Sequence, residues 1–550
     1  MIKKCLLFAF LFLVVFSAKS QSAFDKMLCD FVTTDPTFCN DSTPTPLILD
    51  ESLFFPDSIV LFYREAQCKA VWFDGTTLTD AGHQIISIIS DAPAQGLDAR
   101  YYHTALLNKL DNLLIAYLSA HQDEMLAYEI LLTDAAYKYA RDVRFGCINP
   151  ANLPFRWEIS RDNPFLIKPF VEAVNNNTIT AFFEKLAPTT KDYDVLKNNL
   201  AYYRELLQNT PEEIILPKEL KLAVGDSSEW VPELRKRLAQ LQYYTLDYPD
   251  KDDSTQYIYN GILAEQLAVF QRAFGLTADS VVGEQTIKKL NITFADKIKI
   301  IKINMERWRW LPRNFYGRHV LVNIANFTMY MLEDNKLIFE KRVCVGKPFS
   351  QTPVFSDQIE YLEFNPYWTV PYSIASNEIL PKLRKNAYYL ESQNMELLSG
   401  GKTVNPQNID WSVVSARNFR YTVRQKPGNN NALGVVKFLF PNEYDVYLHD
   451  TPSKSLFSKD SRAFSHGCVR VEKPLELAEY LLQDTKWDLE KIAQTIDKGK
   501  NTRVSLEKPI PIDLLYFTAW VNEEGALIFQ EDIYKRDPVI INALPGINKN

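Results

Sequence analysis

Tyr447-Leu-His449-Asp-Thr-Pro and, after a polar loop, Ser465-His466-Gly467-Cys468-Val-Arg470 form the stretch from which the rest of the chain is read. A strand-like segment presents a histidine, and the loop that follows delivers Ser-His-Gly-Cys. A thiol acyl-transfer site needs these parts. A sulfur must become a thiolate, an imidazole must take its proton, and N–H groups must hold the oxyanion formed on attack. Cys468 is the candidate nucleophile. His449 is the candidate base, since an imidazole titrates near neutrality; spacing alone does not exclude His466 from that role. Gly467 allows a tight turn and a close approach beside the nucleophile. Tyr447 alternates with His449, faces the same side of the strand and is a groove-lining candidate. Arg470 has the fork geometry for a substrate carboxylate, or for a salt bridge within the loop. A papain-like protease would place its cysteine well before its histidine, the reverse of the order here.

Outward from this stretch the pattern is that of strands. His319-Val-Leu-Val-Asn-Ile324, Phe327-Thr-Met-Tyr-Met331 and Lys336 to Val345 alternate with period two between turn residues. Tyr372 to about Tyr421 interrupts them with a polar segment that reads as helical, Ser376 to Tyr389 and then Glu391 to Asp410. Tyr388, Tyr389 and Trp411 within it are either groove aromatics or packing residues. Beyond the motif, Pro474 to Leu482 and Trp487 to Gln494 read as helices. A strand begins at Val504, and Leu514 to Val521 with Leu527 to Phe529 reads as a hairpin turning at Glu524-Gly525. Upstream the period changes. Ile298 to Trp310 is a connecting helix. Val231 to Leu241, with Leu234, Leu238 and Leu241 on one face, joins Leu263 to Phe274 and Glu284 to Leu290 in a small three-helix unit. Helical patterns also fill Ile59 to Tyr63, Leu78 to Ala94, Ala105 to Leu118 and Glu124 to Val143. The fold class is therefore multidomain α+β, with a mainly helical N-terminal half and then a β-rich domain carrying a helical lid insertion.

His449, fifteen residues, then Ser465-His466-Gly467-Cys468 resembles the signature of L,D-transpeptidases, enzymes that cross-link or modify bacterial peptidoglycan. The runs Arg424-Gln-Lys-Pro-Gly428, Asn431-Ala-Leu-Gly434, Lys437-Phe-Leu-Phe-Pro-Asn442 and Val446-Tyr-Leu-His-Asp-Thr-Pro452 resemble the large multidomain branch of that family. Phe62-Tyr63, Trp72, Gly96-Leu97-Asp98 and Leu132-Thr-Asp134 are similar to its scaffold domain. Val269-Phe270-Gln271, Gly275-Leu276 and Val282-Gly283 are similar to its peptidoglycan-binding module, although Ala278-Asp279-Ser280 replaces the usual Asp-Gly near the turn. Residues 1–20 read as a signal peptide and the polar residues 21–55 as a flexible leader, and the resemblance implies a helical scaffold domain at 56–215. A peptidoglycan-binding-like domain at 216–295 follows. The catalytic domain spans 296–506 with a capping subdomain at 372–421, and a β-hairpin extension spans 507–550. It also implies that a backbone carbonyl at Asp450 fixes the tautomer of His449, and that His466 shapes an oxyanion hole to which Gly467 and Cys468 lend N–H groups. The Asp450 side chain is either part of the substrate site or purely local.

The implied reaction is attack by Cys468 on the diamino residue of a tetrapeptide stem, loss of the terminal D-alanine and transfer to an amine of a neighbouring stem. No cofactor and no metal is required, the partners are peptidoglycan stems and glycan, and carbapenems are expected to acylate Cys468. With water as acceptor the same site makes an L,D-carboxypeptidase or endopeptidase. A wall-binding scaffold without catalysis is the non-enzymatic alternative, and it predicts loss of the thiol or its base.

Composition agrees with an exported globular protein. The 550 residues are 46% hydrophobic and 23% charged, with a formal charge of −7 that argues against nucleic acid as a partner. Lys3 and Lys4 precede an apolar run from Leu6 to Phe16 that is too short to span a bilayer well, and Ala18 and Ser20 offer a cleavage site before Gln21. The expected location is the periplasm or cell envelope. Cys5 leaves with the signal. Cys29 and Cys39 are close enough to close a loop, Cys68 and Cys147 are a second conceivable pair, and Cys344 reads as an inert buried thiol. His83, His103 and His121 have no partners at catalytic spacing and read as surface or capping residues, while His319, which opens a strand, reads as structural.

Overall fold

The computed structural model describes residues 23–34, 47–48, 51–117, 122–210, 212–245 and 256–547. The expected signal peptide, Cys5, Cys39, His121 and most of the acidic loop after Tyr244 lie outside these residues. Two compact units make up the chain. One is Met1–Pro93, Leu97–Arg144 and Pro164–Ala187; the other is Ala94–Gly96, Phe145–Asn163 and Pro188–Asn550.

The first unit is helical and built against the helix Gln122–Phe145. Ala135, Ala136, Tyr139, Ala140 and Val143 bury one of its faces. Two buried polar residues on the same helix, Glu129 and Asp134, tie down loops. Glu129 accepts from the N–H groups of Val71 at 2.7 Å and Trp72 at 3.1 Å, and Tyr63 donates its hydroxyl to it. Asp134 accepts from the N–H groups of Phe54 at 2.7 Å and Phe55 at 2.9 Å. His103, expected at the surface, is instead buried: its φ is +53°, and Nε2 lies 2.8 Å from Asp134 Oδ2. Its role is structural, as an internal strut.

The second unit contains the three-helix module, Val231–Gln240, Gly261–Ala273 and Glu284–Leu290. Asn260 caps the second helix, its side chain accepting from Leu263 N–H at 2.9 Å. The Asp-Ser turn is formed without glycine. Ser280 sits at φ +59°, Asp279 Oδ1 accepts from Val281 N–H at 2.9 Å, and Gln271 braces both residues. The connecting helix runs Phe294–Arg309, starting where Thr293 accepts from Asp296 N–H at 3.0 Å.

The main sheet has ten strands: β1 Trp157–Glu158, β2 Arg318–Asn323, β3 Thr328–Glu333, β4 Lys336–Gly346, β5 Val354–Phe364, β6 Val436–Leu439, β7 Leu448–His449, β8 Ala463–Ser465, β9 Val469–Val471 and β10 Thr502–Leu515. Their order is β6-β7-β9-β4-β3-β2-β10-β5-β1, and β6 also pairs with β5, so eight of the strands form a closed circuit. Closure leaves no free edge among those eight. The alternating apolar residues then fill the inside: Val320, Val322, Met329, Met331, Val343, Val345, Leu362 and Phe438 are all fully buried.

Between β5 and β6 stands the lid. The helical reading holds for its first part, Tyr372–Ile374, a π-turn at Ala375–Ile379, and Leu380–Lys385. It fails for 391–410. There Met395–Ser399 and Lys402–Val404 form a hairpin turning at Gly400-Gly401, and Thr422–Gln425 and Trp368–Thr369 complete a four-stranded sheet. Two consecutive glycines at positive φ stop a helix and permit the tight turn. Trp411 is buried in the lid core and donates Nε1–H to Pro406 O at 2.8 Å, so it packs and does not line the groove. Tyr388 is exposed, and Tyr389 packs against the same core.

Strand β10 continues across the boundary expected at residue 506, with a register shift between Ser505 and Ile510, and only Ala519–Val521 and Leu527–Phe529 form the hairpin. The C-terminal segment is fastened by a buried ion pair, Arg307 Nη2 to Asp537 Oδ1 at 2.7 Å, with Thr518 and Asn304 hydrogen-bonded around it.

Candidate active site

Strand pairing assembles the site. Lys437 on β6 is registered opposite His449 on β7, and His449 opposite Arg470 on β9. Registered partners on neighbouring strands share a face of the sheet. The three side chains therefore stand in one row, and Cys468 enters immediately before β9. All four line one cavity of about 1000 Å³, roofed by lid residues such as Tyr372, Ala375 and Glu378. Tyr447 lines it as well, its ring 5.7 Å from that of His449 and its face 4.0 Å from Lys437 Nζ.

His449 is 5% exposed, and its Nδ1 faces the carbonyl oxygen of Asp450. A carbonyl only accepts, so the proton sits on Nδ1 and the lone pair on Nε2. Burial, reinforced by the cations of Arg470 and Lys437, pushes the imidazole down to about 3, so it is neutral at rest. Burial pushes the Cys468 thiol up, while Tyr447 and the Lys437 cation pull it back down. The resting pair is thus thiol and neutral imidazole. Cys468 Sγ is 3.6 Å from Asp445 O, and no hydrogen bond joins it to His449 among the described residues. Such bonds often tighten only when substrate arrives.

The turn that carries the thiol is held from below. Gly467 has φ +125°, which disfavours any side chain there. Its N–H donates to Ser465 Oγ at 3.1 Å, its carbonyl accepts from Thr352 Oγ1 at 2.7 Å, and Ser465 Oγ donates to Cys468 O at 2.5 Å. The expectation that Gly467 lends an open N–H to an oxyanion is corrected accordingly: that N–H is already spent on Ser465. The Cys468 N–H has no protein acceptor among the described residues. His466 points to the lid, its Nε2 2.8 Å from Glu378 Oε1.

Asp450 does not reach the cavity. Its side chain accepts from Val435 N–H at 3.0 Å and pairs with Lys454, and it lies so close to Gly434 that a Cβ there would fall 2.2 Å from Oδ2. It is a local clamp, and its backbone carbonyl is the part that touches the site. Arg470 faces the cavity with its Nε unpartnered among the described residues, and the alternative of a salt bridge within its loop is not formed.

Sequence reasoning missed Lys437 and Glu378. The signal for Lys437 was a lone charge inside the apolar run Val436-Lys-Phe-Leu439, readable only once β6 is known to neighbour the histidine strand. For Glu378 there was none, because its partner is 88 residues away.

Residues 317–505 match the family model "L,D-transpeptidase catalytic domain", residues 57–200 match "Scaffold domain", and residues 227–290 match "Putative peptidoglycan binding domain". A Haemophilus influenzae protein named "Putative L,D-transpeptidase" is 35% identical over 253 residues, covering 46% of this chain and 50% of that one. The chain thus spans about half the length of the curated relative it matches. Among solved structures, an L,D-transpeptidase from Xylanimonas cellulosilytica is 16% identical, with coverage of 54% of this chain and 99% of that one and a TM-score of 0.17. One from Stackebrandtia nassauensis is 15% identical, with coverage of 54% and 94% and a TM-score of 0.20. Residues 317–505 thus match an L,D-transpeptidase catalytic domain, and the residues matching a scaffold domain and a peptidoglycan-binding domain precede it in the chain.

Proposed function

We propose that the protein is an exported peptidoglycan L,D-transpeptidase of the cell envelope with Cys468 as nucleophile and His449 as base. The observation that carries this reading is the shared cavity: thiol, oriented imidazole and two cations on three neighbouring strands, under a lid that touches the catalytic turn. Substrate brings Cys468 Sγ toward His449 Nε2, which takes the thiol proton as sulfur attacks the carbonyl of the stem's diamino residue. The Cys468 N–H, with His466 beside it, faces the oxyanion. The C–N bond to the terminal D-alanine breaks, the imidazolium returns its proton to the departing amine, and a thioester remains. An amine of a second stem then attacks the thioester, regenerates the thiol and leaves a 3→3 cross-link. Arg470 and Lys437 supply the positive charge that draws a stem carboxylate into the cavity. Carbapenem acylation of Cys468 follows from the same attack on a strained carbonyl.

The test is incubation of the full chain with disaccharide-tetrapeptide and mass spectrometry of the products, beside Cys468→Ala. Dimers that have lost D-alanine, absent from the variant, are expected. Tripeptide alone would replace transpeptidation with a carboxypeptidase. Binding without turnover would leave a wall-binding scaffold.

A further inference from the structure

We infer that Cys29 and Cys68 are joined by a disulfide that fastens the helix Ala23–Thr34 to the turn after the helix Pro56–Glu65. Their sulfurs are 2.7 Å apart across 39 residues of sequence. Unbonded sulfurs repel at that separation, whereas a disulfide brings them to about 2.05 Å. The contact is built from both sides. Gln67 and Cys68 are consecutive left-handed residues, φ +58° and +55°, neither of them glycine. That conformation is costly for side-chain-bearing residues. It is held by Cys68 N–H donating to Tyr63 O at 2.8 Å and Lys69 N–H to Ala66 O at 3.3 Å.

On the other side, Leu28 and Val32 bury the helix face next to Cys29, and Asp25 accepts from Ala70 N–H at 3.0 Å. One turn before Cys29 and two residues after Cys68 the same two segments are therefore already joined. Burial and the neighbouring Cys29 together push the Cys68 thiol up to about 11. Sequence spacing had offered Cys29 with Cys39 and Cys68 with Cys147; Cys39 lies outside the described residues, and the geometry sets Cys68 against Cys29.

The oxidant is a disulfide, that of an envelope thiol oxidase in the cell or oxidised glutathione in vitro. One cysteine loses its proton and attacks a glutathione sulfur, releasing one glutathione thiol. The other then loses its proton and attacks the mixed disulfide, releasing the second. Two thiols are oxidised, and one glutathione disulfide is reduced. The cross-link does not depend on the transpeptidase reading, and its tests do not read activity.

The full chain, exported into a host envelope, is blocked with N-ethylmaleimide at lysis and digested with trypsin and an Asp-specific protease, which part Cys29 from Cys39 at Asp30 and Asp35. A Cys29–Cys68 peptide pair is expected, present without reductant, lost with it, and retained in Cys39→Ser. Maleimide on both Cys29 and Cys68 would overturn the inference, as would Cys29 joined to Cys39 or Cys68 to Cys147. Independently of export, the purified reduced chain is treated with oxidised glutathione. The same pair is expected and is absent from Cys29→Ser; stable glutathione adducts with no internal bond would overturn it. Hydrogen exchange gives a second readout. Reduction is expected to speed exchange across residues 23–34 by about tenfold or more, as loss of a local tether should, and unchanged exchange would sink the fastening role.

Discussion

Burial sets the charge state of the candidate nucleophile and base, and Lys437 and Arg470 adjust it. Both cations lie beside His449 and help keep it neutral, while Lys437 also draws the Cys468 thiol downward. Lys437→Met is therefore expected to shift the pH midpoint of Cys468 alkylation by iodoacetamide upward by about one unit, and to raise the His449 pKa; an unmoved midpoint would remove Lys437 from this role. The histidine itself makes a claim about pH. A ring held near 3 when folded and near 6.5 when unfolded takes up protons on unfolding between those values, so its contribution to stability is complete above about 6.5 and is lost as pH falls toward 3. In nuclear magnetic resonance its ring signals should stay at their neutral positions from pH 8 to about pH 4, whereas an ordinary histidine would titrate midway.

At the scale of single elements, two features carry predictions. Gly434 sits at φ +60° with the Asp450 carboxylate pressed against it, and Asp450 supplies the carbonyl that orients His449. Gly434→Ala is expected to cost about 1–3 kcal/mol in stability and to lower kcat more than it raises KM, because the imidazole loses its orientation; steady-state kinetics on the folded variant check this. In the helical unit, burial raises the Glu129 carboxyl to about 7 from 4.5. The folded state then holds a proton that the unfolded state has released. Its stabilising share is present below about pH 4.5 and is lost as pH rises through 7, about 3 kcal/mol in all. Glu129→Gln should flatten that slope, read from hydrogen exchange across 122–145 at several pH values. The hairpin of the lid teaches the complementary lesson: its charges and amides suited a helix, but Gly400-Gly401 and pairing with Thr422–Gln425 decided otherwise.

Over the whole molecule, the C-terminal tail supports the turn that carries Cys468 from a distance. Tyr534 donates its hydroxyl to Gly346 O at 2.6 Å and accepts from Thr352 N–H at 3.1 Å, and Thr352 in turn donates to Gly467 O. Tyr534→Phe should cost about 1–2 kcal/mol and slow acylation of Cys468, measured as the rate of carbapenem adduct formation. Asp537→Ala would leave Arg307 buried without its charge partner. A loss of about 3–5 kcal/mol in chemical denaturation is expected, and a loss under 1 kcal/mol would show that the tail is dispensable.

The sequence by itself determined the order of parts and pointed to the proposed chemistry. Ser-His-Gly-Cys after a strand histidine names the candidate reacting groups, period-two runs name a β-rich domain, and period-3.6 runs name the helical half, because each of these is written in neighbouring residues. Tertiary structure alone decided what depends on residues far apart in the chain. Only the pairing of β6 with β7 and of β7 with β9 sets Lys437 in line with His449 and Arg470, only folding turns Asp450 inward to Gly434, and only it places Cys29 against Cys68 and Arg307 against Asp537. Strand register, burial and the charge state of a buried group are collective properties, fixed when distant segments exclude water together. Local pattern has no access to them.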